Sequence, residues 1–348
     1  PAISSVTPAT GKSSPRSGAC HSIARGQAKA QVSPHSSTPR IRFIVQAVSR
    51  NVDSSPRGLR EIAGRFDSYL LDLWGLVHDG QTLYPGVAAC LSALRAQGKR
   101  IIFLSNSPNR AHSVARKLAG LGVGAHMYDG IVTGGEVTHR LLREAADPQI
   151  RMFAKRFYDI DRTGLSGLLD GLPDRIRVED LGQADALLAT VVNSPVEEPL
   201  DGYDDILTAA RARDLPLLCA NPDRIVMVGT SLYYCPGAVA DRYEALGGHV
   251  VRIGKPYPHV YDYALDLLGR PDPARVLAAG DSLATDVAGA RQAGLPCLFN
   301  LTGIHRYEIT CPQDNPAHPS PKPDPERLRG LLAAHPHRPD FMVAGLKW

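Results

Sequence analysis

The sequence predicts a doubly wound α/β fold, a parallel sheet with helices on both faces, interrupted by a second, inserted α/β domain. Three observations predict it. Short apolar runs alternate with helix-period segments from about Arg60 onward, as successive strand and helix units require. Acidic, hydroxyl or lysine residues stand just after several of those runs, at the sheet edge where open α/β folds bind ligands. The chain has 348 residues, more than the roughly 250 at which a single core usually stops growing.

Residues 1–52 contain no Asp or Glu and are rich in Ser, Pro, Ala, Arg and Gln. Such a composition buries too little apolar surface to offset chain entropy. Residues 1–58 are therefore expected to be a disordered tail. An Arg- and Ser-rich, acid-free tail also has the character of an organellar transit peptide, and a dispensable extension is the plainer alternative.

The run Tyr69-Leu70-Leu71-Asp72-Leu73 is read as a buried parallel strand. Pro85 to Gln97 follows as a helix, with Pro in its first turn and Gly98 as its stop. A second strand is expected over Arg100 to Leu104 and a second helix over Arg110 to Leu121. Towards the other end, Arg275 to Ala279 is a strand, a helix runs through Gln292, and Cys297-Leu298-Phe299 is a further strand. Between these blocks, residues 129–248 carry their own strands, at Ala186 to Val192 and Leu215 to Ala220, and helices around Tyr203 to Arg213 and Val239 to Leu246. The expected organisation is a discontinuous core domain of residues 59–128 and 249–348, with an inserted domain at 129–248. Pro312 to Pro325 reads as a loop, followed by a short helix and an irregular C-terminus.

With 43% hydrophobic and 21% charged residues, the composition is that of an ordinary water-soluble chain. The mean hydropathy is −0.15, and no stretch approaches the roughly 20 apolar residues that span a bilayer. The net charge is +4, but much of the basic excess lies in the tail, so neither a nucleic-acid nor a membrane partner is expected. Cys20, Cys90, Cys219, Cys235, Cys297 and Cys311 are scattered without a CxxC pair, which points to a reduced, cytoplasmic setting, or an organelle if the tail is a transit peptide. Gly120-Leu121-Gly122-Val123-Gly124 follows a helix rather than a strand and is no dinucleotide fingerprint. Walker A, HExxH and GxSxG patterns are absent from the sequence.

Four segments carry the chemistry. Asp72 ends an apolar strand, where a carboxylate can attack phosphorus and coordinate a metal; a cap or turn residue is the plain alternative. Ser105, in Leu104-Ser105-Asn106, leads from a strand into a helix start, where a hydroxyl and free N–H groups face a bound anion; a simple N-cap would look the same. Lys255, between Gly254 and Pro256, can reach inward as a point charge on a phosphate, or be a solvated lysine. Asp281 and Asp286 follow a strand into a helix and offer the hard oxygen donors that suit Mg²⁺, or else a helix N-terminal charge pair.

Together, Asp72-Leu73-Trp74-Gly75, Leu104-Ser105-Asn106, Gly254-Lys255-Pro256 and Gly280-Asp281 to Asp286 resemble the four motifs of the haloacid dehalogenase superfamily, in order, over about Asp67 to Arg306. The insertion between the second and third motifs, and the segment Ala220-Asn221-Pro222-Asp223, are similar to the class IIA subfamily of NagD-like, phosphoglycolate and pyridoxal phosphate phosphatases. The resemblance implies a Rossmann-like core with an inserted α/β cap domain of the C2 type, and a Mg²⁺-dependent phosphatase of a small phosphorylated metabolite. It implies that Asp72 is the nucleophile and a metal ligand, that Ser105, Asn106 and Lys255 bind the phosphoryl group, and that Asp281 and Asp286 hold Mg²⁺ with the main-chain carbonyl of Trp74. Asn221, Asp223 and Arg224 become candidates for substrate contact from the cap, with a structural turn at 221–223 as the equal alternative. Self-association into a homodimer stays open.

One position departs from the family. The second motif I Asp, which protonates the leaving oxygen and then activates water, is replaced by Trp74, whose indole N–H does not titrate. Loss of a general acid/base costs about 10²–10⁴-fold in rate. Three explanations compete: a substrate with a good leaving group, such as an aryl or acyl phosphate; an acid/base supplied elsewhere, with His78 and Asp79 nearby in sequence; or a different outcome. That outcome is a phosphometabolite-binding protein without turnover, or a dehalogenase- or phosphonatase-like hydrolase. Retention of both Asp281 and Asp286 favours phosphoryl transfer. For His78 and Asp79 the plainer expectation is an exposed turn histidine and the Asp of a tight turn. Trp74 itself could pack, narrow the pocket or stack on a planar ligand.

Overall fold

The computed structural model describes residues 56–153, 155–161, 166–192, 194–229, 231–310 and 323–348. The expected tail, apart from residues 56–58, and most of the expected Pro-rich loop lie outside the described residues, as do Cys20 and Cys311.

In chain order the strands are β1 (Ser68–Leu71), β2 (Arg100–Ser105), β3 (Gly130–Thr133), β4 (Arg156–Asp159), β5 (Ile176–Val178), β6 (Ala186–Ala189) and β7 (Leu217–Cys219). There follow β8 (Ile225–Val228), β9 (Ser231–Tyr234), β10 (Val250–Arg252), β11 (Val276–Gly280), β12 (Cys297–Asn300) and β13 (Phe341–Val343). They form a six-stranded sheet of order β13-β12-β11-β1-β2-β3, a five-stranded sheet of order β10-β7-β6-β4-β5, and the hairpin β8-β9. Every pairing within the two larger sheets is parallel.

In the six-stranded sheet both faces are buried, so its strands are near-continuous apolar runs rather than alternating ones. Leu70, Ile102 and Leu104 point to one face, packed with Val260, Tyr261 and Ala264 of the helix Pro258–Leu267. Tyr69, Leu71, Ile101 and Phe103 point to the other, packed with Val87, Cys90, Leu91 and Leu94 of the helix Val87–Ala96. This is the period-2 alternation of a strand with helices on either side. The chain leaves β1 for β2 and β3 in one direction and continues from β11 to β12 and β13 in the other. The order therefore reverses between β1 and β11, the crevice where doubly wound sheets bind ligands.

Two expectations are corrected, and one element has no counterpart among them. β3 pairs with Ile102 to Ser105 of β2 and β10 pairs with β7, so sheet membership changes after Thr133 and after Arg252 rather than at 128/129 and 248/249; short strands entering an insertion carry no boundary signal. The C-terminus is not wholly irregular, because Phe341–Val343 completes the sheet edge beside β12; three residues are too few to show a period. The hairpin was not foreseen, and its half-buried strands pair Ile225 with Tyr234 and Val228 with Ser231. Among the described residues, no helix is long and apolar enough to cross a membrane. Cys90, Cys219, Cys235 and Cys297 are buried free thiols.

Candidate active site

The two central strands end in carboxylates. Asp72 extends the ladder one residue beyond β1, its N–H donating to Ala279 O at 2.9 Å, and Asp281 follows β11 directly. Ser282 then begins a wide turn over Leu283–Val287, in which the N–H groups of Asp286 and Val287 both donate to Ser282 O, at 3.0 and 3.1 Å. Such π-type turns recur at functional sites. Here the turn brings Asp286 back beside the strand end, where its Oδ2 accepts from Ser282 N at 3.1 Å. Asp72, Asp281 and Asp286 are all buried and each offers an oxygen within 4.8 Å of the others.

Glycines make the room. A Cβ on Gly75, whose φ is +79°, would stand 1.7 Å from Asp281 Oδ2, and one on Gly303 would stand 2.0 Å from the same oxygen. One on Gly280 would stand 2.0 Å from Asp286 Cγ. The same Asp281 oxygen accepts from Ile304 N at 2.6 Å.

Lys255 comes from the opposite wall, three residues after β10. Its Nζ lies 2.5 Å from Asp72 Oδ1 and 2.6 Å from Asp286 Oδ1. Its main chain is fixed by Asn106, whose Oδ1 accepts from Lys255 N at 2.6 Å and whose Nδ2 donates to Lys255 O at 3.2 Å. Asn106 Nδ2 also donates to Asp223 Oδ1 at 2.8 Å. Ser105 is buried, and its Oγ accepts from Ser107 N at 3.2 Å.

Three buried carboxylates face one ammonium, an imbalance that burial makes costly. Burial first, opposed by Lys255 and reinforced by Asp286, pushes Asp72 up to about 7. Burial and the charges of Asp72 and Asp286 hold Asp281 well above the carboxylate range. For Lys255 burial disfavours the charge, but Asp286, Asp72 and Asp223 outweigh it and hold the ammonium above the ordinary lysine value. Hard oxygen donors with a surplus of buried negative charge are the donor set that Mg²⁺ takes.

The residues read from the sequence as catalytic, phosphate-binding, metal-holding or substrate-contacting all line one cleft of about 1080 Å³. Their partners differ. Asn221 Oδ1 accepts from Asp223 N at 3.0 Å, the geometry of an Asx turn. Asp223 is pushed up to about 6, by burial first and against the pull of Lys255. Arg224 is exposed and pairs through Nε with Asp241 Oδ2 at 2.5 Å.

His78 and Asp79 do not line the cleft. The expectation of an exposed turn histidine is corrected: His78 is 1% exposed, its Nδ1 accepting from Gly80 N at 3.0 Å, and burial lowers it to about 4. Asp79 is the turn residue expected, its Oδ1 accepting from Gln81 N and Thr82 N at 2.9 and 2.7 Å. The indole of Trp74 meets His78 edge-on at 5.1 Å and carries Lys117 Nζ 4.4 Å from a ring centroid.

Sequence reasoning missed Asn300, at the end of β12, whose Nδ2 donates to Gly75 O at 2.6 Å. It also missed Gly303 and Ile304 against Asp281, and Tyr84 and His305 in the cleft wall. A polar residue at the end of an apolar strand, Asn300 followed by Thr302-Gly303, was the available signal.

A family description, haloacid dehalogenase-like hydrolase, matches residues 69–162, and a second, HAD-hydrolase-like, matches residues 252–324. The chain is similar to the crystal structure of a haloacid dehalogenase-like hydrolase from Brucella suis, with 31% identity and a TM-score of 0.68, over 84% of this chain and 99% of that one. It is 24% identical to a 4-nitrophenylphosphatase of Schizosaccharomyces pombe, over 76% of this chain and 94% of the relative. A glycerol phosphate phosphatase from Mycobacterium tuberculosis, in complex with magnesium, aligns with 25% identity and a TM-score of 0.54, over 77% of this chain and 78% of that one.

Proposed function

This chain belongs to the haloacid dehalogenase-like hydrolase family, and from that premise we propose that it is a phosphatase of small phosphorylated metabolites that works through an aspartyl phosphate on Asp72. The observation that carries this reading is the pairing of the buried Asp72 with Lys255 at 2.5 Å inside the carboxylate cluster. A carboxylate so held is aimed for attack, and the ammonium beside it opposes the burial that raises its pKa.

In the first step an Asp72 oxygen displaces the leaving alcohol from phosphorus, forming the aspartyl phosphate as the ester P–O bond breaks. Water then hydrolyses the acyl phosphate and regenerates Asp72. Lys255 holds charge on the phosphoryl oxygens, Ser105 Oγ lines the same cleft to receive them, and Asn106, its amide engaged by Lys255 and Asp223, serves the phosphoryl group by holding Lys255 in place. Asp72, Asp281, Asp286 and the main-chain carbonyl of Trp74 are the groups that would hold Mg²⁺, which supplies charge neutralisation at the phosphoryl group when bound. The surplus of buried negative charge supports a metal-assisted phosphoryl transfer over halide chemistry, which has no use for it. Asn221, Asp223 and Arg224 are the proposed contacts for the rest of the substrate.

No titratable side chain stands at position 74, so the departing oxygen leaves without a proton from that position. This favours aryl and acyl phosphates, whose leaving groups are stable as anions. The test compares the wild type with Asp72→Asn and Trp74→Asp, in Mg²⁺, on an aryl and an alkyl phosphate. Turnover of the aryl ester that is abolished in Asp72→Asn and extended to the alkyl ester in Trp74→Asp is the expected result. Inertness of both the wild type and Trp74→Asp on both esters would sink the phosphatase reading and leave a phosphometabolite-binding protein.

A further inference from the structure

The hairpin β8-β9 forms part of the cleft wall through Ile225, Val226, Met227 and Tyr234, yet its own strands are only half-buried. An isolated two-stranded hairpin is marginally stable in water; β9 is tied along its length, Tyr234 N donating to Ser194 O at 2.8 Å and Val196 N to Leu232 O at 3.1 Å, which leaves the height of the tip to be set by other contacts. A turn and a short helix of the core supply them, at Asp79 and at Arg306. Gly229 N donates to Asp79 O at 3.2 Å, and Arg306 Nη2 donates to Gly229 O at 3.4 Å.

The turn rests on Trp74. Gly80 has φ +94°, and a Cβ there would stand 2.4 Å from Cζ3 of the indole, so the ring lies in direct contact with the Gly80 main chain. His78 packs against the same ring at an interplanar angle of 71°, and its Nδ1 takes the Gly80 N–H. The Asp79 carboxylate is spent within the turn, on Gln81 N and Thr82 N, and its carbonyl is what meets the hairpin. A continuous series of contacts thus runs from the indole to the Asp79–Gln81 turn, then to Gly229 and the cleft wall.

We infer that Trp74 is a positioning residue for substrate specificity: its indole props the Asp79–Gln81 turn at the height where the hairpin tip docks, and so fixes the wall that faces the part of the substrate remote from phosphorus. Removing the ring leaves a void beneath Gly80 into which the turn can settle, releasing the tip. The side chain at position 74 then trades proton transfer for the setting of a wall.

Hydrogen exchange, read by mass spectrometry over residues 225–234, tests this without any turnover. In Trp74→Ala, or in Trp74→Leu if the alanine variant does not fold, exchange in the hairpin is expected to quicken about tenfold or more, as for a locally opening segment. Trp74→Phe should restore it, and Arg306→Gln should quicken it independently. A kinetic arm rests on the phosphatase reading: kcat/KM for 4-methylumbelliferyl phosphate relative to acetyl phosphate should fall about tenfold in Trp74→Leu, mainly through KM for the bulky ester. In Arg306→Gln that ratio should fall too, with acetyl phosphate turnover unchanged. Wild-type exchange rates in a folded Trp74→Ala or Trp74→Leu protein overturn the proposal. Absence of turnover in every form would instead tell against the phosphatase reading, and exchange would still decide the role of Trp74.

Discussion

The side-chain amide of Asn106 closes on the main chain of Lys255 from both sides, accepting from its N–H at 2.6 Å and donating to its C=O at 3.2 Å. The two residues are separated by 149 positions and belong to different sheets: Asn106 follows β2 and Lys255 follows β10. The ammonium that touches Asp72 is thereby registered against the strand that carries Ser105. Gly254 completes the fit, since a Cβ there would lie 2.7 Å from Asn106 Oδ1 and 2.4 Å from Pro222 Cδ.

Asn106→Ala is expected to lower kcat/KM for an aryl phosphate by about 10²-fold, the cost of a misplacement of about 1 Å at a reacting group. Asn106→Asp keeps the acceptor for Lys255 N, loses the donor to Lys255 O, and sets a second carboxylate against Asp223, so it should be worse. Steady-state kinetics with a thermal melt as the folding control decides the point, and an alanine variant within threefold of wild type would refute the positioning role.

Gly75→Ala is expected to remove Mg²⁺ binding. The new methyl would occupy the space of Asp281 Oδ2, 1.7 Å away, in a backbone conformation with φ +79° that side chains disfavour. Isothermal titration of the purified variant with MgCl₂ should give no binding heat where the wild type gives a saturating curve. Wild-type affinity in Gly75→Ala would show that the carboxylate has another place to go.

Metal and site charge should act oppositely on stability in Asp281→Asn. Burial and like charge hold Asp281 above its ordinary range, so in EDTA at pH 8 the neutral variant should melt above the wild type. Added Mg²⁺ at about 100 times its Kd should stabilise the wild type by about 2.7 kcal/mol, an upward shift of about 4 °C for a chain of this size. The variant should lose most of that response. Equal Mg²⁺ shifts in the two proteins would remove Asp281 from the metal site.

A pH effect should arise outside the carboxylate cluster, at Asp159. This carboxyl is 4% exposed, and burial pushes it up to about 6 from 3.8, against hydrogen bonds from Asp161 N and Thr190 Oγ1. Because the folded value is the higher one, the folded state holds its proton more tightly. The group therefore costs nothing below about pH 4, and its cost grows to about 3 kcal/mol above about pH 6. Asp159→Asn should raise stability in urea at pH 8 by an amount of that order and leave it nearly unchanged at pH 3.5. A pH-independent difference between the two proteins would mean that Asp159 does not carry the effect.

The sequence alone determined the doubly wound fold class and the residues that meet in the cleft. Both follow from local physics: a strand buried on both faces is an apolar run, and a polar residue that ends such a run marks the ligand edge of the sheet. Asp72, Ser105, Lys255 and Asp281 were each legible in that way. Only the tertiary structure decided the rest. His78 looked like a surface turn residue because nothing within its own segment shows that Trp74 and Gly80 enclose it. The hairpin at 225–234 was illegible because its strands are too short and too half-buried to show a period, and its tip is placed by Gly229 meeting Asp79 and Arg306. Asn106 was expected to bind the phosphoryl group, yet its amide is engaged by Lys255 and Asp223 from across the cleft. Partners brought together over more than a hundred residues of chain leave no local pattern, since nothing but the packing of the two sheets sets their distance.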